Sequence, residues 1–284
     1  MADLVSRMLQ CVDLGKEYLL SKIDNGLCLE FHQLRHGPSW AWVTACVGSA
    51  LSEFGFVPRD IVEAVLSLRC SNGGWSYNQN VPADADTTLR VMQLLSKIGF
   101  TNHAVIADAE KFVLHHQLSD GGFTTYLPET VREMGYSSCA GWCSSHSCVT
   151  SLAINQIKDV TSVRRAKNYL LQNGPNAYWW RTPYYVRYEL GCPNGDVETK
   201  DPVETSLILL LSSKLGIYNP KLIEVLISMQ HRDGSMPASF QFRIPRPHQT
   251  IRDICGDEEV VSDGQGIFST CATIVAIERQ KHFA

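Results

Sequence analysis

The stretch Trp42-Val43-Thr44-Ala45-Cys46-Val47-Gly48-Ser49-Ala50-Leu51-Ser52-Glu53-Phe54-Gly55-Phe56 is answered 44 residues later by Asp86-Thr87-Thr88-Leu89-Arg90-Val91-Met92-Gln93-Leu94-Leu95-Ser96-Lys97-Ile98-Gly99-Phe100. Each carries a threonine in third place, an apolar run behind it, and a glycine where a helix would stop. Self-similarity at a spacing of this size marks a repeat architecture. The same threonine heads three further segments: Cys148-Val149-Thr150, Val203-Glu204-Thr205 and Phe268-Ser269-Thr270. The residues that follow, such as 207–211 and 274–277, are apolar nearly all round, as in a helix buried on most of its surface.

Between these segments lie helices of a second kind. Leu222, Val225, Leu226 and Met229 form one apolar stripe, and Ile61, Val65 and Leu68 form another. Several end in a glycine-aromatic element: Gly73-Gly74-Trp75, Gly121-Gly122-Phe123, and a weaker version at Asn176-Ala177-Tyr178-Trp179. Buried helices alternating with one-faced helices predict two concentric layers. The expected fold is an all-α toroid of about five helix-pair repeats, one domain over residues 1–284, because repeat arrays outgrow ordinary domain size without splitting. The threonine spacings widen after the first, and the added residues, roughly 124–145, 181–200 and 240–265, all precede an inner helix. They are expected to crowd one mouth of the ring, where loops carry function.

Composition narrows the chemistry. Hydrophobic residues make up 44% and charged residues 19% of 284, which describes a chain with a large core. A net charge of −4 without a Lys/Arg run points away from nucleic acid. The sequence shows neither a secretory pattern nor a transmembrane run, and cysteines such as Cys46, Cys70 and Cys271 sit inside apolar patterns. A cytoplasmic protein is expected; the oligomeric state is left open. No dinucleotide fingerprint, phosphate loop or G-x-S-x-G turn is present.

Aligned on the threonines, the position four residues upstream holds Trp40, Asp84, His146, Asp201 and Gly266. Asp201-Pro202-Val203-Glu204 reads as a capping box, so Asp201 is a structural cap, and Asp84 fits the same place. The position two residues upstream holds Trp42, Asp86, Cys148, Val203 and Phe268. Asp86 and Cys148 are not needed as caps. Asp86 either complements the helix dipole or is a reactive acid. Cys148 is either a buried hydrophobe or a thiol activated by the helix N-terminus and His146. Aromatic residues gather on the same side: Trp40, Trp42, Trp75, Tyr77, Trp142, Trp179 and Trp180, with Tyr178, Tyr184 and Tyr185. Singly each reads as packing; together they suggest a wall suited to apolar or cationic species.

His116-Gln117-Leu118-Ser119-Asp120-Gly121-Gly122-Phe123 resembles the QW repeats of squalene–hopene and oxidosqualene cyclases, and Asp84-Ala85-Asp86-Thr87-Thr88 resembles the D-x-D-D-T motif of class II terpenoid cyclases. The resemblance implies that Asp86, the middle aspartate, protonates an alkene or epoxide. Thr87 stands where that motif has its last aspartate, a departure that leaves the proton donor in place. The superfamily also contains the single-toroid β subunits of protein prenyltransferases, which hold zinc. That kinship makes Asp86, His146 and Cys148 a conceivable open zinc site, and Cys139-x3-Cys143-x2-His146-x-Cys148 a conceivable closed one.

The leading expectation is therefore a small class II terpenoid-cyclase-like enzyme of isomerase or lyase type. It would act on a small apolar prenyl or polyene substrate, with Asp86 as general acid, Asp84 beside it, and neither metal nor cofactor. One rival is a zinc- or Cys148-dependent transferase in which His146 assists. The other is a toroid that only binds an apolar ligand or a partner protein.

Overall fold

A computed structural model describes residues 2–31, 36–192, 199–254 and 260–284. In chain order its helices are α1 (Ala2–Ser21), α2 (Ala41–Ser52), α3 (Arg59–Ser67), α4 (Ala85–Lys97), α5 (His103–Leu114), α6 (Pro128–Glu133), α7 (Ser147–Gln156), α8 (Val160–Asn173), α9 (Tyr184–Leu190), α10 (Pro202–Lys214), α11 (Pro220–Met229) and α12 (Ile267–Gln280). Two short antiparallel ladders join β1 (Trp75–Ser76) to β2 (Ala83–Asp84) and β3 (Phe242–Arg243) to β4 (Val260–Val261). The protein is thus mostly helical. None of these helices is long and apolar enough to cross a membrane.

Each repeat threonine is the fourth residue of its helix: Thr44 in α2, Thr88 in α4, Thr150 in α7, Thr205 in α10 and Thr270 in α12. The hydroxyls explain the choice of residue. Thr88 Oγ1 accepts the Trp75 N–H at 2.9 Å, Thr150 Oγ1 that of Phe123 at 2.8 Å, and Thr270 Oγ1 that of Met236 at 2.9 Å. Thr44 Oγ1 does the same for Cys28 at 2.9 Å. A threonine inside the first helical turn therefore pins the end of the preceding glycine element. Buried backbone N–H groups need such partners.

The glycines serve the outer layer. Gly73 has φ +90, and a Cβ there would press on the Asp108 backbone of α5. Gly234 has φ +88, and its Cβ would lie 2.1 Å from the Leu14 carbonyl oxygen of α1. Only glycine suits both demands. Gln117 and Gln230 complete the joints, each donating to the carbonyl of its own glycine (Gly121, Gly234) and to the next outer helix (Ser162, Cys11). The run Gln230-His231-Arg232-Asp233-Gly234-Ser235-Met236 is thus a further unit of the same kind, with methionine in the aromatic place, and it links α11 back to α1.

The inner helices also close on themselves. α2 packs on α4, α4 on α7, α7 on α9, α9 on α10, α10 on α12, and α12 on α2. Five were expected in this cycle; the sixth, α9, comes from the span 181–200 that reads as a loop in the sequence. The remainder of that span at 193–198, and 255–259 of the span 240–265, lie outside the described residues. The aligned residues Trp40, Asp84, His146, Asp201 and Gly266 immediately precede the five helices; Asp84 and Asp201, the two read as caps, accept first-turn N–H groups through their side chains, and the other three do not. The capping box at Asp201 forms by half. Asp201 Oδ1 accepts Val203 and Glu204 N–H groups, but Glu204 receives Thr182 Oγ1 instead of reaching back.

Candidate active site

The second residues of the five threonine-bearing helices are Trp42, Asp86, Cys148, Val203 and Phe268. The first-turn register brings members of this set from neighbouring helices side by side. Trp42 Nε1 donates to Asp86 Oδ2 at 3.0 Å, and the Trp42 ring lies 5.3 Å from that of Phe268. Above Trp42 and Asp86 opens a cavity of about 760 Å³ lined by both, by Asp84, and by Tyr77, Trp142, Trp179 and Trp180. Its volume falls in the range of small-molecule sites.

The interposed segments build the roof. Trp142 Nε1 donates to Pro245 O at 2.8 Å, and the Gly141 N–H donates to Pro247 O at 2.8 Å. Arg243 N donates to Trp179 O at 3.0 Å and Arg181 N to Gln241 O at 2.9 Å. Residues 139–142, 177–181 and 241–247 are therefore hydrogen-bonded to one another over the inner-helix starts. Rings fill the gaps between them. Trp142 stacks on Tyr126 at 5.5 Å, Trp180 on Tyr185 at 4.3 Å, and Phe31 meets Phe242 edge-on at 5.0 Å.

The two aspartates live differently. Asp84 caps α4: Oδ1 accepts the Thr87 N–H at 2.7 Å and Oδ2 the Thr87 hydroxyl at 2.8 Å. Burial still pushes its carboxyl up to about 7, with the Thr87 N–H pulling down and Asp86 pushing up. Asp86 lies deep in the protein yet opens onto the cavity. Burial raises its carboxyl above the ordinary range, while Arg90 one turn along and the Trp42 N–H pull it down and Glu189 raises it. An indole N–H can only donate, so Oδ2 accepts, and a carbonyl oxygen accepts better than a hydroxyl one, which favours the proton on Oδ1. A carboxyl raised by burial in an aromatic cavity holds its proton to higher pH than an exposed one, which suits it to act as an acid.

His146 and Cys148 stand elsewhere. Neither lines the cavity. The His146 ring stacks flat on Tyr178 at 4.1 Å, with Nε2 at 2.8 Å from Gly141 O and Nδ1 at 2.9 Å from Thr125 Oγ1. Because a carbonyl only accepts, Nε2 carries the hydrogen, and Thr125, itself receiving Trp179 Nε1 at 2.7 Å, donates to Nδ1. Burial holds His146 down to about 4, so it is neutral and both nitrogens are engaged in bracing the wall. Burial pushes the Cys148 thiol up to about 11, the opposite of an activated thiol. The desolvation of a sealed helix start exceeds what its dipole gives back. Among the described residues no group of three or more His, Cys, Asp or Glu side chains is placed to hold a metal.

Five of the expected wall residues do not line the cavity: Trp40, Trp75, Tyr178, Tyr184 and Tyr185. Trp75 is fully buried between layers and donates Nε1 to Val65 O in α3, and Trp40 sits half-buried at the start of α2. Neither touches the cavity. The lining instead includes Phe31, Tyr126, Tyr136, Phe242, Arg243 and His248. Of these, Tyr126, Tyr136 and Phe242 were legible in principle, as aromatics within the segments assigned to the mouth. Phe31 gives a backbone signal only, a non-glycine φ of +61.

No protein-family model matches the chain. A drimenyl diphosphate synthase of Streptomyces showdoensis is 28% identical over 110 residues, which is 37% of this chain; the match spans only about a fifth (21%) of that protein's length. Among solved structures, a variant of the type II terpene cyclase MstE from Scytonema, in complex with its substrate geranylgeranyl dihydroxybenzoate, has a TM-score of 0.86 at 20% identity, covering 100% of both chains. The apo form of MstE gives 0.80 at 21% identity, covering 98% of this chain and 100% of that one. ent-Copalyl diphosphate synthase from Streptomyces platensis gives 0.54 at 14% identity, over 85% of this chain and 50% of that one. At these identities the likeness is one of fold: the chain has the fold of a type II terpene cyclase along its whole length.

Proposed function

We propose that residues 1–284 form one α/α toroid of five helix-pair repeats with α9 inserted into the inner ring, and that this toroid is a small class II terpenoid-cyclase-like enzyme. Its substrate is a prenylated or polyene compound. The observation that carries this reading is Asp86: a carboxyl raised by burial, tied at one oxygen by Trp42, on the lining of an aromatic cavity. The geranylgeranyl arene named for MstE supports a prenyl chain as the part that enters.

In the reaction, the Oδ1–H bond of Asp86 breaks as a C–H bond forms on the terminal alkene carbon. The alkene's electron pair is consumed, and a tertiary cation remains. Neighbouring double bonds then attack in turn, each forming a C–C bond and moving the cation along the chain. Loss of a proton ends the cascade, so substrate and product have the same mass. The ring faces of Trp42, Trp142, Trp179 and Trp180 stabilise positive charge without offering a nucleophile that would trap it. The roof of 139–142, 177–181 and 241–247 keeps water from quenching the cation.

The transferase alternatives lose support from the engaged nitrogens of His146 and the protonated thiol of Cys148. The test is incubation with farnesyl and geranylgeranyl compounds, followed by chromatography and mass spectrometry for a product isomeric with its substrate. Asp86→Asn keeps the shape and the Trp42 hydrogen bond, and turnover should fall by about 10²-fold or more, the scale of general acid catalysis. Binding without any isomeric product, unchanged in Asp86→Asn, would favour a ligand-binding toroid.

A further inference from the structure

Trp42 and Asp86 occupy the same place in successive repeats, so the hydrogen bond between them links equivalent positions of two adjacent inner helices. The indole is held so that it cannot turn away. Its ring tilts against Phe268 at 5.3 Å and meets Phe31 edge-on at 5.7 Å, and the Arg90 guanidinium lies 5.4 Å beneath it. It is also 6% exposed, so its N–H exchanges poorly with water as an alternative partner.

Arg90 is the unusual neighbour, a buried cation one helical turn from an acid. It makes no direct pair with that acid. Its hydrogen bonds go to Tyr185 OH at 2.6 Å and Gln93 Oε1 at 3.1 Å, and its Nε is buried without a partner. The distinction matters chemically. A guanidinium hydrogen-bonded to Asp86 would keep the carboxyl ionised and leave it no proton to give. A neutral indole N–H supplies a bond that strengthens as charge develops on the oxygen, without forcing ionisation beforehand.

We propose that Trp42 is the positioning residue of the acid: its N–H fixes Oδ2 of Asp86, directs the proton to Oδ1, and stabilises the carboxylate left once the proton has gone. Arg90 supports that carboxylate through space. The proposal rests on Asp86 being the proton donor. The groups facing Asp86 are Arg90 from its own helix, Asp84 from β2 just before it, Cys46 from α2, Cys148 from α7, Tyr185 and Glu189 from α9, and Tyr126 from the segment before α6. The two thiols and two phenols are kept protonated by burial, which leaves Arg90, Glu189 and Asp84 as the charges acting on it.

Trp42→Phe removes the N–H and keeps the ring packing. Infrared difference spectra of the substrate-free protein report the Asp86 carboxyl, its band assigned by loss in Asp86→Asn, and following the band against pH gives its titration. In Trp42→Phe the band should move to that of a carboxyl lacking this donor, and the titration should move to higher pH. Turnover should fall about tenfold in kcat, what one hydrogen bond to a charged group supplies, with KM little changed. If Trp42→Phe does not fold, a ring-fluorinated tryptophan placed at position 42 makes the N–H a stronger donor at nearly the same shape, and the titration should move to lower pH. An unchanged band and titration in these variants, with Asp86→Asn inactive, overturns the role of Trp42 alone. Full turnover by Asp86→Asn overturns the proton-donor reading and this proposal with it.

Discussion

Glu30 lies outside every sequence pattern, yet replacing it with alanine should destabilise the protein more than most single changes. The helix α12 starts after Gly266, which has no side chain to cap it. Glu30, arriving from the segment before α2 and fully buried, takes over that task. Its Oε2 accepts the Phe268 N–H at 3.0 Å, and its Oε1 accepts those of Gln265 at 3.0 Å and Ile267 at 3.4 Å. The longest of these is marginal, so two good hydrogen bonds are counted. Leaving a buried N–H without a partner costs about 1–3 kcal/mol, so Glu30→Ala should cost about 2–6 kcal/mol. Against a typical total of about 5–15 kcal/mol, that approaches the whole margin. Glu30→Gln keeps one oxygen and turns an amide N–H toward the remaining donor, so it should cost roughly half as much. Urea unfolding followed by tryptophan fluorescence gives both values. If Glu30→Ala stays within about 0.5 kcal/mol of the parent, as surface changes do, the remote-cap assignment is wrong.

Three further outcomes follow from the geometry. Iodoacetamide at pH 8 should label the exposed Cys192 and leave Cys148 unmodified until the chain unfolds, and Cys148→Ser should retain turnover; early labelling of Cys148 with loss of activity would revive a thiol mechanism. Gly234→Ala, with backbone 2.1 Å from the new Cβ and φ +88, should cost about 3 kcal/mol or more in denaturant unfolding. Gly55→Ala, with φ +73 and open space around it, should cost only about 1–2 kcal/mol; equal losses would refute the close-approach explanation. Burial raises Glu30 to about 8 and Asp84 and Asp263 to about 7. Folded-state values above the unfolded ones favour the protonated fold, so this stability is complete below about pH 4 and is lost as pH rises through the folded values. Thermal melts should therefore show Tm falling from pH 5 to pH 8, and a Tm that rises across that window would count against it.

Much of this architecture was legible because it is local and periodic. Each of the five threonines lies three residues after a helix start, and of the residues four before them Asp84 and Asp201 cap through their side chains. What the sequence hid is what depends on distant partners. Glu30 caps a helix more than two hundred residues away, which no window detects. The unit ending in Met236 was missed because its aromatic is gone, although Gln230 and Gly234, which make the joint, are both present. The seven-residue α9 is too short to show a helical period. In the candidate site, register alone found Asp86 and Trp42, but it cannot say which way a first-turn side chain faces. Cys148 shares their position and is walled off by the 177–181 segment, and His146 is drawn into the roof by Gly141 and Thr125. Trp75 follows the logic of its glycine element, which turns the ring toward the outer helix and away from the cavity.

The joint between Gly234 and Leu14 has a consequence for how the molecule comes apart. In an open solenoid the end repeats have one neighbour, so unfolding begins there and spreads unit by unit. A cycle sealed by Gly234 on α1 and by α12 on α2 offers no such starting point, since each unit is gripped on both sides. Detaching any one of them breaks two interfaces at once. Forming the cycle demands contacts between residues at opposite ends of the chain, which slows folding because loop closure precedes the reward. The same seal should suppress partial opening between repeats, so that on the proposed mechanism a cationic intermediate would meet intact walls for as long as it lives.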